Sequence, residues 1–430
     1  MVYLYQTVTL DNGVKVLTED IPHVRSVVVG IWVNVGSRDE EPAQAGISHF
    51  IEHMMFKGTE KRSARDIAEE LDAVGGQLNA FTTKEYTCYY ARVLDKHFDL
   101  ALDVLFDMLF NSRFAAADID RERNVILEEV KMYEDTPDEL VHDVFATTIW
   151  HGHALGRPII GTAEVIGSLT REDILQYYRR HYVPENMVVA VAGQIEHARV
   201  VEKIRSAFAG RRGSAAPRTL VRPQPRPEVT CRTKDTEQVH LCLGVPGLPL
   251  DDERIYVFQL VNTILGGGLS SRLFQEIREQ RGLVYSVYSY HSSYHDAGLF
   301  GIYAGLSKQN VAPALELIFK EIRDIQQNGV NEQELRRAKE QLIGNLWLSL
   351  ESVSTRMSRL GKSQLYLGKI QTPEEIVARV EKVTGEEIKV LAGEMLRPEL
   401  FAMASVGPWD DCRALNAAAG RVGGSPAGSN

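Results

Sequence analysis

A proline-rich segment divides the 430-residue chain into two halves, and each half repeats the same rhythm of strands followed by long helices. Four prolines fall within residues 213–228, so this segment is predicted to be an extended, semi-rigid linker. The chain is also too long for a single hydrophobic core. We therefore expect two α+β domains of related design, at residues 1–212 and 229–415, each a mostly antiparallel β-sheet packed with long α-helices.

Secondary structure is predicted from the periodicity of the apolar residues. Strands are expected where apolar residues alternate or form short runs, at residues 5–10, 14–17, 26–35, 186–192, 238–245, 283–305 and 400–406. Helices are expected where apolar residues recur every three to four positions, at residues 45–56, 64–74, 95–111, 118–134, 138–148, 170–180, 197–208, 252–265, 269–280, 309–328, 331–352, 353–364, 373–380 and 384–396. Residues 416–430 are rich in Ala, Gly and Ser and are predicted to be a disordered tail.

The sequence His-Phe-Ile-Glu-His at residues 49–53 is the feature that points to chemistry. In a helix, residues four apart lie on one face, so His49 and His53 would stand one turn apart. Two imidazoles in that arrangement can bind one divalent metal ion, and zinc accepts such nitrogen ligands. Glu52 lies beside them, and a carboxylate near a metal-activated water can take its proton. The order reverses the common zinc-protease pentapeptide and is typical of the inverzincins.

The residues that flank this motif favour a metal site over an accidental match. A pentapeptide alone also fits an amphipathic helix whose histidines are ordinary core or surface residues. Here residues 46–48 supply a helix start, and the Met-Met-Phe sequence at 54–56 continues an apolar face. Two histidines and a glutamate in that apolar stretch would be costly to bury without a partner, and a metal ion is the simplest partner.

A third ligand is expected, because a catalytic zinc takes three protein ligands and keeps one position open. Candidates lie in the acidic helix predicted at 118–134, where Glu122 and Glu129 are seven residues apart and share a face, while Glu128 is rotated away. The apolar residues Val125, Ile126 and Val130 can form the buried side of this helix. The alternative is a solvated charged face, which is the commoner state of glutamates in such a helix.

Composition excludes some functions and sets the expected compartment. A net charge of -10 argues against a general nucleic-acid binder. We find no stretch long and apolar enough to span a bilayer, and the first residues lack the basic and apolar regions of an export signal. The four cysteines are far apart and are expected to be buried thiols of a reducing compartment. We therefore expect a cytoplasmic protein, with neither nucleic acid nor a membrane as its partner.

Several longer motifs resemble the pitrilysin/insulinase zinc metallopeptidases, and they are most similar to the mitochondrial-processing-peptidase-like branch of that family. The first is the pentapeptide itself, followed 76 positions after His53 by Glu129. Further matching segments are Gly75–Thr82, Leu155–Thr162, Tyr177–Tyr182, Pro184–Met187 and Gly266–Tyr288. The similarity extends over about residues 5–410, which is nearly the whole chain.

The resemblance implies a processing-peptidase/LuxS-like metallohydrolase fold and assigns roles to individual residues. Its zinc ligands would be His49, His53 and Glu129, with one Zn²⁺ per chain. Glu52 would be the general base. Glu122 would be a carboxylate that contacts a ligand and steadies its orientation.

The resemblance also implies residues that bind the substrate. Asn79, Ala80 and Phe81 would lie on an exposed edge strand that pairs with the substrate backbone, although an ordinary sheet edge would look the same in sequence. Arg278 and Tyr285 of the second half would bind the substrate carbonyl and stabilise its developing negative charge. Without the resemblance, a surface salt bridge and a core aromatic would be the simpler interpretation of these two residues.

The function that the resemblance implies is a zinc metalloendopeptidase, a hydrolase of short or unfolded polypeptides. Two domains make half of the four-domain chamber that encloses substrate in this family, so a homodimer is expected. Two alternatives stay open at this point. One is a non-catalytic scaffold or peptide-binding subunit, and the other is an enzyme that is active only with an unlike partner subunit. The intact set of zinc ligands favours the self-sufficient peptidase.

Overall fold

The computed structural model describes residues 5–411, 413, 415–417 and 420. These residues form two compact units, and each unit is assembled from separate stretches of the chain. The first unit consists of the residues up to 131 together with residues 157–219 and 348–372. The second unit consists of residues 132–156, residues 220–347 and the residues from 373 onward. Each unit contains one β-sheet and the helices that cover it.

Strands and helices alternate along the chain. The strands are β1 (Tyr5–Thr9), β2 (Lys15–Asp20), β3 (Ser26–Val33), β4 (Gln77–Thr82), β5 (Thr87–Leu94), β6 (Met187–Gly193), β7 (Val229–Thr233), β8 (Val239–Gly247), β9 (Val284–Ser293), β10 (Gly298–Leu306) and β11 (Ala402–Gly407). The α-helices are α1 (Ile47–Met54), α2 (Ala64–Asp72), α3 (Phe98–Asn111), α4 (Ala116–Glu134), α5 (Pro137–Ile149), α6 (Ala163–Ser168), α7 (Arg171–His181), α8 (His197–Ala207), α9 (Ile255–Gly266), α10 (Val311–Asn328), α11 (Glu332–Ser349), α12 (Val353–Leu367), α13 (Pro373–Lys382) and α14 (Gly385–Met395). A π-helical turn, Phe274–Glu279, precedes β9.

The sheet of the first unit has its strands in the order β1-β2-β6-β3-β5-β4. Neighbouring strands are antiparallel except for β2 and β6, which are parallel. Helix α12 packs across β2, β3 and β6, and its residues Met357 and Leu360 join Trp32 of β3 in one apolar cluster. Strand β4 forms one edge of the sheet, beside α1 and α2.

Two glycines allow α12 to approach β3 this closely. A Cβ atom at Gly361 of α12 would lie 2.3 Å from Cε2 of Trp32. A Cβ atom at Gly30 of β3 would likewise lie 2.3 Å from Sδ of Met357. Both distances are far inside van der Waals contact. The buried Trp32 ring is rigid, so the interface requires glycine at 361, whereas a side chain at 30 would force the flexible end of Met357 to shift.

The sheet of the second unit has the order β7-β11-β8-β10-β9, and only β7 and β11 are parallel. Successive residues of a strand point to opposite faces, and β8 uses both faces for packing. Leu241 and Leu243 pack with residues of α9, α10 and α14, whereas Cys242 between them packs with residues of α5. Helices therefore cover this sheet on both sides.

The predicted fold class is confirmed, because both units combine a mostly antiparallel sheet with long helices. The two units do not coincide with the two halves on either side of the linker, because two segments belong to the other unit. Residues 132–156, from the first half of the sequence, belong to the second unit, and residues 348–372 belong to the first. The physical reason is packing, since α5 covers β8 and β11 while α12 covers β3 and β6. Residues 211–228 contain neither helix nor strand.

Cys231 is disulfide-bonded, so the expectation that all four cysteines are thiols is wrong, while Cys88 and Cys242 are free and buried. No spacing in the sequence reports such a bond, because folding alone brings distant cysteines together. Of the predicted tail, residues 416, 417 and 420 are helical, and its other residues lie outside the described part of the chain. None of the described helices combines the length and apolar character needed to cross a membrane.

Candidate metal centre

Helix α1 carries two histidines on the side that faces away from the core. Its residues Ile47, Phe50, Ile51 and Met54 are almost completely buried and fix the helix against the rest of the first unit. His49 and His53 occur on the remaining face, and their ring centroids are 4.6 Å apart. The predicted one-turn spacing is therefore present, and both imidazoles point to the same side of the helix.

Helix α4 brings a carboxylate to these imidazoles. Oε2 of Glu129 lies 3.8 Å from Nε2 of His49 and 3.6 Å from Nε2 of His53. One donor atom from each of the three residues lies within 4.8 Å of the other two. Among the residues that the structure describes, these are the histidine, cysteine and acidic side chains that converge in this way. The structure thus brings together the three residues predicted as ligands.

Glu122 lies about two turns before Glu129 on α4 and is 3% exposed. Its Oε2 lies 3.8 Å from Nδ1 of His53, and Nζ of Lys57 forms an ion pair with the same oxygen. Glu122 therefore sits behind His53, on the ring nitrogen that does not face Glu129. The expected buried side of α4 is confirmed for Ile126, which is fully buried, whereas Val130 is partly exposed. The expectation is wrong for Val125, since half of its surface is exposed.

Glu52 lies next to the three-residue cluster and has one defined partner. Oγ1 of Thr82, the last residue of β4, donates a hydrogen bond of 2.5 Å to Oε2 of Glu52. This contact joins the end of the edge strand to α1 and sets the direction of the carboxylate. Thr82 was not predicted as a site residue, because the two residues are 30 positions apart and no local pattern links them.

Burial determines the charge state of the two imidazoles. Desolvation, together with the smaller effect of the nearby His53, lowers the pKa of His49 to about 3. Desolvation also lowers the pKa of His53, although the Glu122 carboxylate opposes that change. Both rings are therefore neutral at pH 7 and have a lone pair available for a metal ion.

Burial raises the pKa of the carboxylates, whereas it lowers the pKa of the imidazoles. Desolvation raises the pKa of Glu52 to about 6, against the hydrogen bond from Thr82, and it also raises the pKa of Glu129. Partly buried carboxylates beside neutral imidazoles are stabilised by a cation between them. Two nitrogen ligands and one carboxylate oxygen are a donor set that zinc accepts, with room for a fourth ligand. The residues present therefore fit a zinc ion.

The predicted substrate strand is an edge strand. Asn79, Ala80 and Phe81 belong to β4, which pairs with β5 on one side and ends the sheet on the other. Phe81 packs edge-on against Trp32, with ring centroids 5.8 Å apart, and so anchors the strand to the core. The exposed edge leaves backbone groups of β4 available for pairing with a further strand.

Arg278 and Tyr285 lie in the second unit. Arg278 belongs to the π-helical turn, and its guanidinium carbon lies 4.8 Å from the centre of the Phe274 ring. Tyr285 lies on β9 and is 73% exposed, which rules out a core aromatic. It lines a cavity of about 750 Å³ together with His142 and Tyr288.

Comparisons with known proteins agree on one family. The family described as insulinase (peptidase family M16) matches residues 15–163, and the peptidase M16 inactive domain matches residues 168–342. An uncharacterized zinc protease of Bacillus subtilis, YmxG, is 45% identical over 400 residues, which cover 93% of this chain and 97% of the relative. An uncharacterized zinc protease of Streptomyces coelicolor is 46% identical over 418 residues, which cover 94% of this chain and 90% of the relative.

A solved structure of a protease from Helicobacter pylori has the same fold, with a TM-score of 0.88 at 21% identity over 94% of this chain and 100% of that chain. Fold, sequence relatives and the convergent His-His-Glu set define a zinc protease as the class of this protein. Within that class, the chain belongs to the insulinase family, peptidase family M16. The family resemblance expected from the motifs is confirmed.

Proposed function

We propose that this protein is a zinc-dependent endopeptidase that hydrolyses peptide bonds in short or unfolded polypeptides. The observation that carries the proposal is the convergence of His49, His53 and Glu129 within 4.8 Å, with the Glu52 carboxylate beside them. A merely structural zinc site needs no such additional carboxylate and is closed by four protein ligands. Three ligands and an adjacent base are the arrangement that hydrolysis requires.

The chemistry assigns one task to each of these side chains. His49, His53 and Glu129 would hold a zinc ion, which would supply Lewis acidity for the scissile carbonyl and the attacking water. Glu52 takes a proton from that water as its oxygen attacks the carbonyl carbon. Glu52 then returns the proton to the amide nitrogen as the C–N bond breaks, so one water and one peptide bond yield a carboxylic acid and an amine.

Thr82 supports this role of Glu52. The Thr82 hydroxyl donates a hydrogen bond to Oε2 of the Glu52 carboxylate, so we assign the proton transfer to the other oxygen, Oε1. The hydrogen bond also opposes the effect of burial on the pKa of Glu52, which keeps more of the carboxylate in the basic form. We infer that Thr82 orients the base and that Glu122, paired with Lys57, orients His53.

Substrate binding is assigned to two surfaces. The open edge of β4 accepts an extended peptide as an additional strand, with Asn79, Ala80 and Phe81 at the pairing positions. Arg278 and Tyr285 of the second unit supply donors for the carbonyl oxygen as it becomes negative. A homodimer encloses the peptide in a chamber, which admits extended chains and excludes folded ones.

A peptide-hydrolysis assay tests the proposal. We expect the purified protein to cleave a library of unstructured peptides, to lose that activity with a zinc chelator and to regain it with added Zn²⁺. Size-exclusion chromatography with mass measurement on the active peak should give twice the mass of one chain. Zinc binding without cleavage would favour the scaffold function, and activity restored only by an unlike chain would favour a heteromeric enzyme.

A further inference from the structure

The metal-binding helix begins without a capping side chain of its own. Gly46 occupies the N-cap position of α1 with φ of 95°, and it offers no oxygen to the free amides of the first turn. A Cβ atom at this position would lie 2.6 Å from the carbonyl oxygen of Ile160, so no capping residue fits there. The backbone N–H groups at the start of α1 must find acceptors elsewhere.

Glu40, from the loop before the helix, supplies both acceptors. Its Oε2 accepts a hydrogen bond of 2.7 Å from the amide of Gly46, and its Oε1 accepts one of 2.9 Å from the amide of Ser48. Glu40 is 4% exposed, so neither bond is shared with bulk solvent. One carboxylate thus caps the helix from six residues upstream and places negative charge at its positive end.

Other contacts fix the same turn from two more sides. Oγ of Ser48 lies 3.0 Å from the hydroxyl oxygen of Tyr177 on α7. The backbone of Gly161 lies against that of Ala45, where a Cβ atom at 161 would be 2.3 Å from the Ala45 carbonyl oxygen. Ser48 immediately precedes His49, so a shift of this turn moves the first predicted ligand directly.

We propose that Glu40 is a positioning residue for the metal centre, which holds the first turn of α1 so that His49 and His53 meet Glu129 at zinc-binding distance. This inference rests on the proposed zinc site. Metal ligands tolerate displacements of only about 0.2 Å, so the position of the helix start translates into metal affinity. Glu40 acts through the backbone of α1 and does not touch the metal or the substrate.

Glu40→Gln is a sharp test of this role. The glutamine side chain has the same shape, but it offers one oxygen and one NH₂ group where two amide N–H groups need acceptors. One of the two hydrogen bonds to the α1 amides is lost, because the glutamine NH₂ group then faces an amide N–H. The negative charge at the start of the helix also disappears. Glu41→Gln makes the same chemical change at the neighbouring exposed residue and serves as the matched control.

The experiment measures the zinc affinity of the full-length protein by competition with a chelating fluorophore. It also measures the thermal unfolding of the zinc-free protein. It is performed at pH 8, because burial raises the pKa of Glu40 to about 7. We expect Glu40→Gln to weaken zinc binding by about 10- to 100-fold and to lower kcat while KM stays the same. Glu41→Gln should match the wild type in every measurement.

Two outcomes would overturn the inference. One is a Glu40→Gln protein that binds zinc as tightly as the wild type, even if its thermal stability falls, because that result describes a purely structural role. The other is a wild type that binds no zinc, which overturns the proposed function as well. Zinc binding without peptide hydrolysis leaves the inference intact and rejects only the peptidase. If Glu40→Gln does not fold, Glu40→Asp gives the same readout, since its shorter carboxylate cannot reach both amides.

Discussion

Glu52 carries the clearest prediction at the scale of single residues. Glu52→Gln removes the base but keeps a side chain of the same size, and none of the predicted zinc ligands changes. We expect its kcat to fall by between about 10²- and 10⁴-fold while zinc remains bound. His49→Ala should instead lose the metal together with the activity. Zinc content by mass spectrometry and peptide turnover on the same samples separate the two cases, and retained turnover in Glu52→Gln would reject the assignment of the base.

Thr82→Val tests the orientation of Glu52 by the edge strand. Valine has the shape of threonine but lacks the hydroxyl that donates to Glu52. We expect kcat to fall by up to about tenfold, since one charge-assisted hydrogen bond contributes about 1.5 kcal/mol, with zinc affinity unchanged. Thr7→Val, at an exposed position of β1, is the matched control. Equal kinetics for the two variants would show that Glu52 needs no support from Thr82.

Some residues of the site could be predicted from the sequence, and others could not. The histidine pair follows from a four-residue spacing, because helix geometry converts that spacing into proximity. Glu129 needed the family resemblance, since spacing alone did not separate it from Glu122, which shares its helix face. The hydrogen bond of Thr82 depends on how β4 meets α1, which no pattern within either element encodes. Local periodicity predicts which face of a helix or strand a residue occupies. Contacts between elements that are distant in sequence can be known only once the fold is known.

At the scale of elements, the interface between α12 and β3 gives a stability prediction. Gly361→Ala would place a methyl group 2.3 Å from the Trp32 ring, so the helix must shift away from the sheet. We expect overpacking to destabilise the first unit by about 1–3 kcal/mol. Gly344→Ala in α11 has open space around the new Cβ and should be neutral or stabilising by up to about 1 kcal/mol. Urea unfolding of both variants makes the comparison, and equal midpoints would contradict it.

The elements themselves were largely predictable from sequence, and the exceptions have physical causes. Long helices such as α10 and α11 show clear periodicity and lie where it places them. Strand β5 was missed, because its alternating pattern is interrupted by the consecutive tyrosines at 89 and 90. The helix expected at 269–280 is a short π-helical turn, since the glycines at 266–268 delay its start. The assignment of α12 to the first unit was not predicted, because sequence order does not report which sheet a helix covers.

At the scale of the whole molecule, zinc should act as a structural ligand of the first unit alone. Its predicted ligands come from α1 and α4, so binding links two helices that lie far apart in sequence. We expect free zinc at 100 times Kd to stabilise this unit by about 2.7 kcal/mol. Calorimetry with Zn²⁺ and with chelator should move one unfolding transition and leave the transition of the second unit in place. A His49→Ala protein should show no zinc-dependent shift.

The exchange of α5 and α12 between the two sequence halves affects how the protein can be dissected. A gene cut at the proline-rich segment would produce an amino-terminal fragment whose sheet lacks the helix against Trp32, and a carboxy-terminal fragment whose β8 and β11 lie bare on the side of α5. Neither fragment should be soluble by itself. When both fragments are produced in one cell, we expect each fragment to supply the helix that the other lacks, so that the folded protein is recovered without a covalent join. Separate expression of the two fragments would then control the assembly of the folded protein.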